Sequence, residues 1–258
     1  MINGDFRVID NHAHIHIDTY FPDREGYFAE DLIREMDKDG VDIALVSDAC
    51  FSFANTGSDY VLGNDHCLNA MQKYPHRIKG IAILNPYAQG IDVMRAEADR
   101  VIEIGFVGYK MHPTCHHHPA NELWGVDPAV EKAIEHDVPL WIHTGEAPFS
   151  TPIQIIELAE RHPHAKIVLG HRGHTMFPDV RYFSKRVSNL WVDISFLTRW
   201  ELPFIELREI GVDRILFGSD YPTVLPKIMM DVVMGSDLTR EEKAKVLGEN
   251  TRQLYKLD

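Results

Sequence analysis

Two histidines set two residues apart, in Asp10-Asn-His12-Ala-His14, are where this 258-residue chain first suggests chemistry. Side chains alternate along an extended segment, so residues two apart share a face and both imidazoles can turn to one cation. His143, in His143-Thr-Gly145, and Asp220, in Gly218-Ser-Asp-Tyr-Pro222, would complete a set of nitrogen and carboxylate donors. Such a set suits one divalent ion, with Zn²⁺ expected first and Mn²⁺ or Fe²⁺ as alternatives. Cys50, Cys67 and Cys115 are widely spaced and form no Cys-x-x-Cys pair, so neither a disulfide framework nor a zinc ribbon is expected. The ion should therefore serve catalysis. Asp220 is expected to act as ligand and base together, accepting a proton from water whose pKa a cation lowers toward ~7.

Other polar residues fall beside these. His171, in Leu169-Gly-His-Arg-Gly-His174, could be a further ligand, a general acid/base or a core histidine. Lys110, in Gly108-Tyr-Lys-Met-His-Pro113, could bind a substrate carboxylate, bridge two metals if carboxylated, or form a plain salt bridge. His112 and Arg172 join Lys110 as candidate substrate-binding groups, with Arg199 a further candidate for an anion. His16 is expected on the rim, outside the ligand set. Consecutive residues point in different directions, so His116, His117 and His118 are expected as solvent-exposed loop histidines. Trp141, Trp191 and Phe217 are expected in the core.

These residues need a scaffold that gathers distant parts of the chain. Eight short apolar runs alternate with helix-like segments, the rhythm of a parallel sheet. They are Phe6 to Asp10 extending toward His14, Asp42 to Asp48, Ile78 to Asn85, Gly105 to Met111, Pro139 to Thr144, Lys166 to His171, Leu190 to Ser195 and Arg214 to Asp220. The pattern predicts an α/β fold, a (β/α)8 barrel of the TIM type forming a single domain over 1–258. The chemistry-bearing residues stand at the C-terminal ends of these runs, where such a barrel assembles its active site. Asp127-Pro128 and Thr151-Pro152 read as helix starts, and Thr239-Arg-Glu-Glu242 as a capping box. Gly40-Val-Asp and Gly211-Val-Asp open two similar joints into strands, a weak internal repeat. The stretch Pro113 to Gly125 is expected as a functional loop.

Composition limits the partners. A formal net charge of −13 excludes a basic nucleic-acid surface, and the excess lies instead in 15 histidines concentrated in short segments. No run reaches membrane-spanning length and the N-terminus has no signal-like apolar stretch, so a cytoplasmic location is expected. A homodimer is possible for such a barrel, although no exposed apolar stripe marks an interface.

The ordered set Asp-x-His-x-His, Gly-x-Lys-x-His-Pro, His-Thr-Gly, Gly-His-x-Gly and Gly-Ser-Asp-Tyr-Pro resembles the amidohydrolase superfamily. It is most similar to the amidohydrolase-2 branch of lactonases, small-acid hydrolases and decarboxylases related to aminocarboxymuconate semialdehyde decarboxylase. The closing Glu249 to Tyr255 is similar to the branch's C-terminal helix. The resemblance implies one catalytic metal on His12, His14, His143 and Asp220, with His171 activating water or handling substrate protons. Related deoxyribonucleases carry Glu where this chain has Lys110, which disfavours that activity and its paired metals. The first expectation is hydrolysis of a small, carboxylate-bearing ester, lactone or amide. Its competitor is a lyase in which the same cage holds a carboxylated ring or enol while CO₂ leaves. A non-catalytic barrel is disfavoured, because it would have no physical need for His171 beside a full ligand set.

Overall fold

Each of the eight apolar runs contains a strand in the computed structural model, which describes residues 6–16, 27–49, 59–196 and 208–258. The strands are β1 (Ile9–Ile15), β2 (Ile43–Asp48), β3 (Ile78–Ile83), β4 (Gly108–Met111), β5 (Pro139–Ile142), β6 (Lys166–Leu169), β7 (Leu190–Asp193) and β8 (Ile215–Leu216). They lie in sequence order, every neighbouring pair parallel. Irregular bonds close the ring: the Asn11 amide donates to Phe217 O at 2.9 Å, and the Asp220 amide to His12 O at 2.8 Å. The last predicted run is thus longer than β8, because its second half joins β1 without regular ladder geometry.

Alternation sorts the strand residues into two cores. Ile9, Ile43, Leu45, Ile81, Trp141, Val168 and Leu216 fill the barrel interior. Intervening residues such as Ala44, Val46, Ala82 and Met111 face the outer helices. The final helix, Asn250–Leu254, and the residues after it supply Leu254, Tyr255 and Leu257 to the interior cluster. The chain end therefore floors the barrel at the end opposite the histidines.

Helix starts follow the predicted chemistry in two cases of three. The Gln154 side chain accepts from the Thr151 amide at 2.8 Å, and Thr239 and Glu242 cap each other at 3.2 and 2.8 Å. At the third, the helix Val126–Glu135 begins one residue before Asp127, which sits in its first turn and accepts from Arg161 Nη2 at 2.6 Å. Gly40 and Gly211, the two repeated joints, take positive φ of 77° and 106°. Among the described residues no helix is long and apolar enough to cross a membrane.

The histidine run corrects one expectation. His116 and His118 are buried and only His117 is exposed. Residues 113–125 fold back on the barrel: the Ala120 amide donates to Phe149 O at 2.7 Å, and His118 stacks on Tyr87 with centroids 4.2 Å apart. Burial lowers the His118 pKa to about 4, so it packs as a neutral ring.

The floor of the barrel predicts a stability effect. Tyr255→Ala removes a buried ring and should cost about 3 kcal/mol, the range for aromatic truncation in a core. Urea unfolding should show a lower midpoint at unchanged slope; an unchanged midpoint would mean that the C-terminal segment does not carry the interior.

Candidate metal centre

The C-terminal ends of β1 and β8 meet. A register shift between Asp10 and Ala13 makes a bulge in β1, and bulges re-aim side chains. Around it His12 Nε2 stands 2.9 Å from Asp220 Oδ1 and 3.1 Å from His14 Nε2, and His14 Nε2 stands 3.4 Å from Asp220 Oδ1. A tetrahedral ion with ligands at about 2.0–2.1 Å separates its donors by about 3.3 Å. The described atoms fit such an ion.

Protonation supports the fit. His14 Nδ1 lies 3.2 Å from both the Ser47 carbonyl and Ser47 Oγ, and these partners on the far side of the ring leave Nε2 facing His12 and Asp220. Burial first, then the Lys110 charge, holds His12 and His14 below the usual imidazole range. For Asp220, burial pushes upward, but contacts from His12 and His14 outweigh it and keep the carboxyl well below its usual range. Neutral imidazoles and an ionised carboxylate are the forms in which these groups bind a cation.

His143 joins this group indirectly. His171 has ligand atoms within 4.8 Å of His12 and Asp220, and also of His143 and His174. His171 Nε2 lies 3.1 Å from His143 Nδ1. Of the four expected ligands, three converge directly and His143 is reached through His171. The other nitrogen of His171 is fixed: Ser195 Oγ lies 3.0 Å from Nδ1 and donates to Asp193 Oδ2 at 2.5 Å. Nδ1 therefore carries the proton and Nε2 faces the cluster bare. Burial and the neighbouring His143 keep His171 neutral.

A cavity of about 200 Å³ opens over these atoms, lined by His14, Lys110, His112, His143, His171 and Asp220, together with Glu146, His174 and Phe196. Lys110 Nζ stands 3.2 Å from His14 Nε2 and 4.5 Å over the Trp141 ring. Burial lowers its pKa to about 7, and among the described residues no carboxylate is within ion-pair distance of it. His112 stacks on His143 with centroids 3.8 Å apart. Arg172 is placed elsewhere. Positive φ at His171, Arg172 and Gly173 turns the chain so that its guanidinium lies over Phe177, 4.5 Å from the ring centre, away from the cavity lining. Arg199 lies outside the described residues.

Several supporting residues carried no role in the sequence reading. Asp10 accepts from the Ser219 amide at 2.9 Å, Ser219 Oγ at 2.5 Å and the His12 amide at 3.1 Å, tying the two halves of the ligand set together. Asp193 also accepts from Asn11 Nδ2 at 3.1 Å. Gly218 is required where these meet, since a Cβ there would fall 2.5 Å from Asp193 Oδ1. Trp141 is core, as expected, and also the platform on which His12 stacks at 4.0 Å. The Asp-Ile-Ser sequence at the end of β7 was the available signal, since the candidate ligands also stand toward the C-terminal ends of the apolar runs.

Comparison with known proteins identifies the family. The model of a family described as amidohydrolase matches residues 9–257. Among solved structures, 2,6-dihydroxybenzoate decarboxylase from Rhizobium is 20% identical with TM-score 0.75, covering 98% of this chain and 99% of that one. The 5-carboxyvanillate decarboxylase of Novosphingobium aromaticivorans, complexed with manganese and a nitrobenzoic acid, is 19% identical with TM-score 0.79, covering 98% and 97%. The 4-oxalomesaconate hydratase of Rhodopseudomonas palustris is 18% identical with TM-score 0.71, covering 97% and 96%. At these identities the likeness is one of fold, whereas the family model spans nearly the whole chain, and the chain belongs to this amidohydrolase family.

Proposed function

We propose that this protein is a metal-dependent lyase that releases CO₂ from a small hydroxylated ring or enol acid. The observation that carries the reading is His171, a neutral imidazole oriented by Ser195 and Asp193 with its bare Nε2 at the edge of the ligand cluster. Structures of similar fold include decarboxylases of dihydroxybenzoate and carboxyvanillate, which supports an aromatic acid as substrate class. The cavity, about 200 Å³, suits one small ring.

His12, His14 and Asp220 would hold the ion, with His143 as the fourth expected ligand and His171 left free for proton transfer. When bound, a divalent cation polarises a substrate oxygen and offsets the negative charge left on the ring. The residues do the rest. Lys110, where its ammonium form is present, pairs with the substrate carboxylate or an adjacent oxygen. His171 Nε2 takes the hydroxyl proton of the substrate and returns it to the ring carbon. The bond from that carbon to the carboxylate breaks, its electron pair remains on carbon to meet the proton, and CO₂ leaves. Phe196 and Trp141 keep the site partly apolar.

Hydrolysis of a small ester or lactone is the second reading, favoured by one observation. Asp220 is an ionised carboxylate beside the ligand nitrogens, placed to accept a proton from an attacking water. Zinc is our first assignment for the ion, although the decarboxylase of similar fold holds manganese.

Three outcomes are expected. Metal-loaded protein given hydroxybenzoic acids, lactones and esters should release CO₂ from the acids; ring opening of lactones with no CO₂ would overturn the lyase reading. Protein purified without chelator should contain about one equivalent at this centre, lost in His12→Ala, and equal metal in both proteins would contradict the ligand assignment. Ser195→Ala should keep the metal yet lower kcat by about tenfold to a hundredfold, because His171 loses its orienting partner. Unchanged turnover in that variant would remove His171 from proton transfer.

A further inference from the structure

We propose that the protein has a second cation site, built by His16, Asp48 and His66 and suited to Zn²⁺ or a similar transition ion. The Nδ1 atoms of His16 and His66 each stand 3.0 Å from one oxygen, Asp48 Oδ2, and the two rings meet edge to face with centroids 4.2 Å apart. The ligand atoms of all three lie within 4.8 Å of one another. This repeats the pattern of the first centre, where imidazole nitrogens and a carboxylate oxygen stand 2.9 to 3.4 Å apart. Two imidazoles and a carboxylate favour a transition ion over Mg²⁺ or Ca²⁺, which prefer oxygen throughout.

The backbone is shaped to bring the three together. Alternation along β1 would carry residue 16 to the same face as residues 12 and 14. His16 instead takes a φ of 57°, an uncommon conformation for a residue other than glycine, and it is absent from the lining of the first cavity. The turn sets its imidazole beside Asp48, at the end of β2, and His66, in the helix Asp59–Lys73. The Asp48 side chain is fully buried, whereas those of His16 and His66 are 24% and 30% exposed. An ion here has an anionic ligand inside and a path to solvent outside.

The site also borders the first centre. Ser47, just before Asp48, holds His14 Nδ1 through its carbonyl at 3.2 Å. A cation on Asp48 would pin the strand end that sets the orientation of His14, so the second ion is a positioning element for the first.

Counting ions separates the two sites. Chelator-stripped protein is titrated with Zn²⁺, freed of excess by gel filtration, and measured by elemental analysis, with circular dichroism to check folding. Two ions per chain are expected in the wild type, and one each in His66→Ala, His66→Gln and Asp220→Asn. Gln retains a hydrogen-bond partner for Asp48 but no imidazole nitrogen, which separates cation binding from a hydrogen-bonded His–Asp–His cluster. A wild type holding a single ion that both His66 variants keep and Asp220→Asn loses would overturn the proposal, as would two ions in the His66 variants. A single ion lost from the His66 variants but kept in Asp220→Asn would support this site and count against the first centre.

Discussion

Electron-pair donors crowded together in a buried place are the constraint from which the rest of the site follows. His12 Nε2, His14 Nε2 and Asp220 Oδ1 lie 2.9 to 3.4 Å apart, and the carbonyl and hydroxyl of Ser47 engage the far side of the His14 ring. Lone pairs facing one another at such distances repel unless a proton or a cation stands between them. The neighbouring Lys110 amine is itself pushed toward neutrality by burial, to about 7, and offsets the carboxylate only in part. A divalent ion among these donors would offset that repulsion.

Two buried carboxylates hold the donors there through hydrogen bonds to other protein groups. Asp10 clamps Ser219 and the His12 amide, and Asp193 clamps Asn11 and Ser195, so they join β1 to the segment after β8 and to the end of β7. Burial raises these two acids to about 7 and about 6, which records the cost of removing their charge from water. That cost goes into geometry: Asp10 fixes the candidate ligands, and Asp193 orients the His171 ring through Ser195.

The fold was legible because its signals were local. Apolar runs bounded by helix starts and glycine joints mark all eight strands, and the closing segment that floors the barrel carries the family's pattern. The candidate ligands were legible because each stands toward the C-terminal end of a predicted apolar run. What escaped depended on contacts between remote segments. Nothing in the sequence of the Pro113 to Gly125 stretch says that Tyr87 and Phe149 will cover it and bury two of its histidines. Nor does the spacing of residue 172 reveal the run of positive φ at which its guanidinium comes to lie over Phe177. Asp193 and Ser195 closed a recognised strand, yet their role appears only once His171 is seen against them.

Anomalous diffraction from crystals grown with Zn²⁺ or Mn²⁺, recorded at the absorption edge of the ion, addresses the crowded donors most directly. A strong anomalous peak between His12 Nε2, His14 Nε2 and Asp220 Oδ1, at bonding distance from all three, is the expected result. Full occupancy of the crystal by the ion elsewhere, with only hydrogen-bonded density among these three atoms, would contradict it.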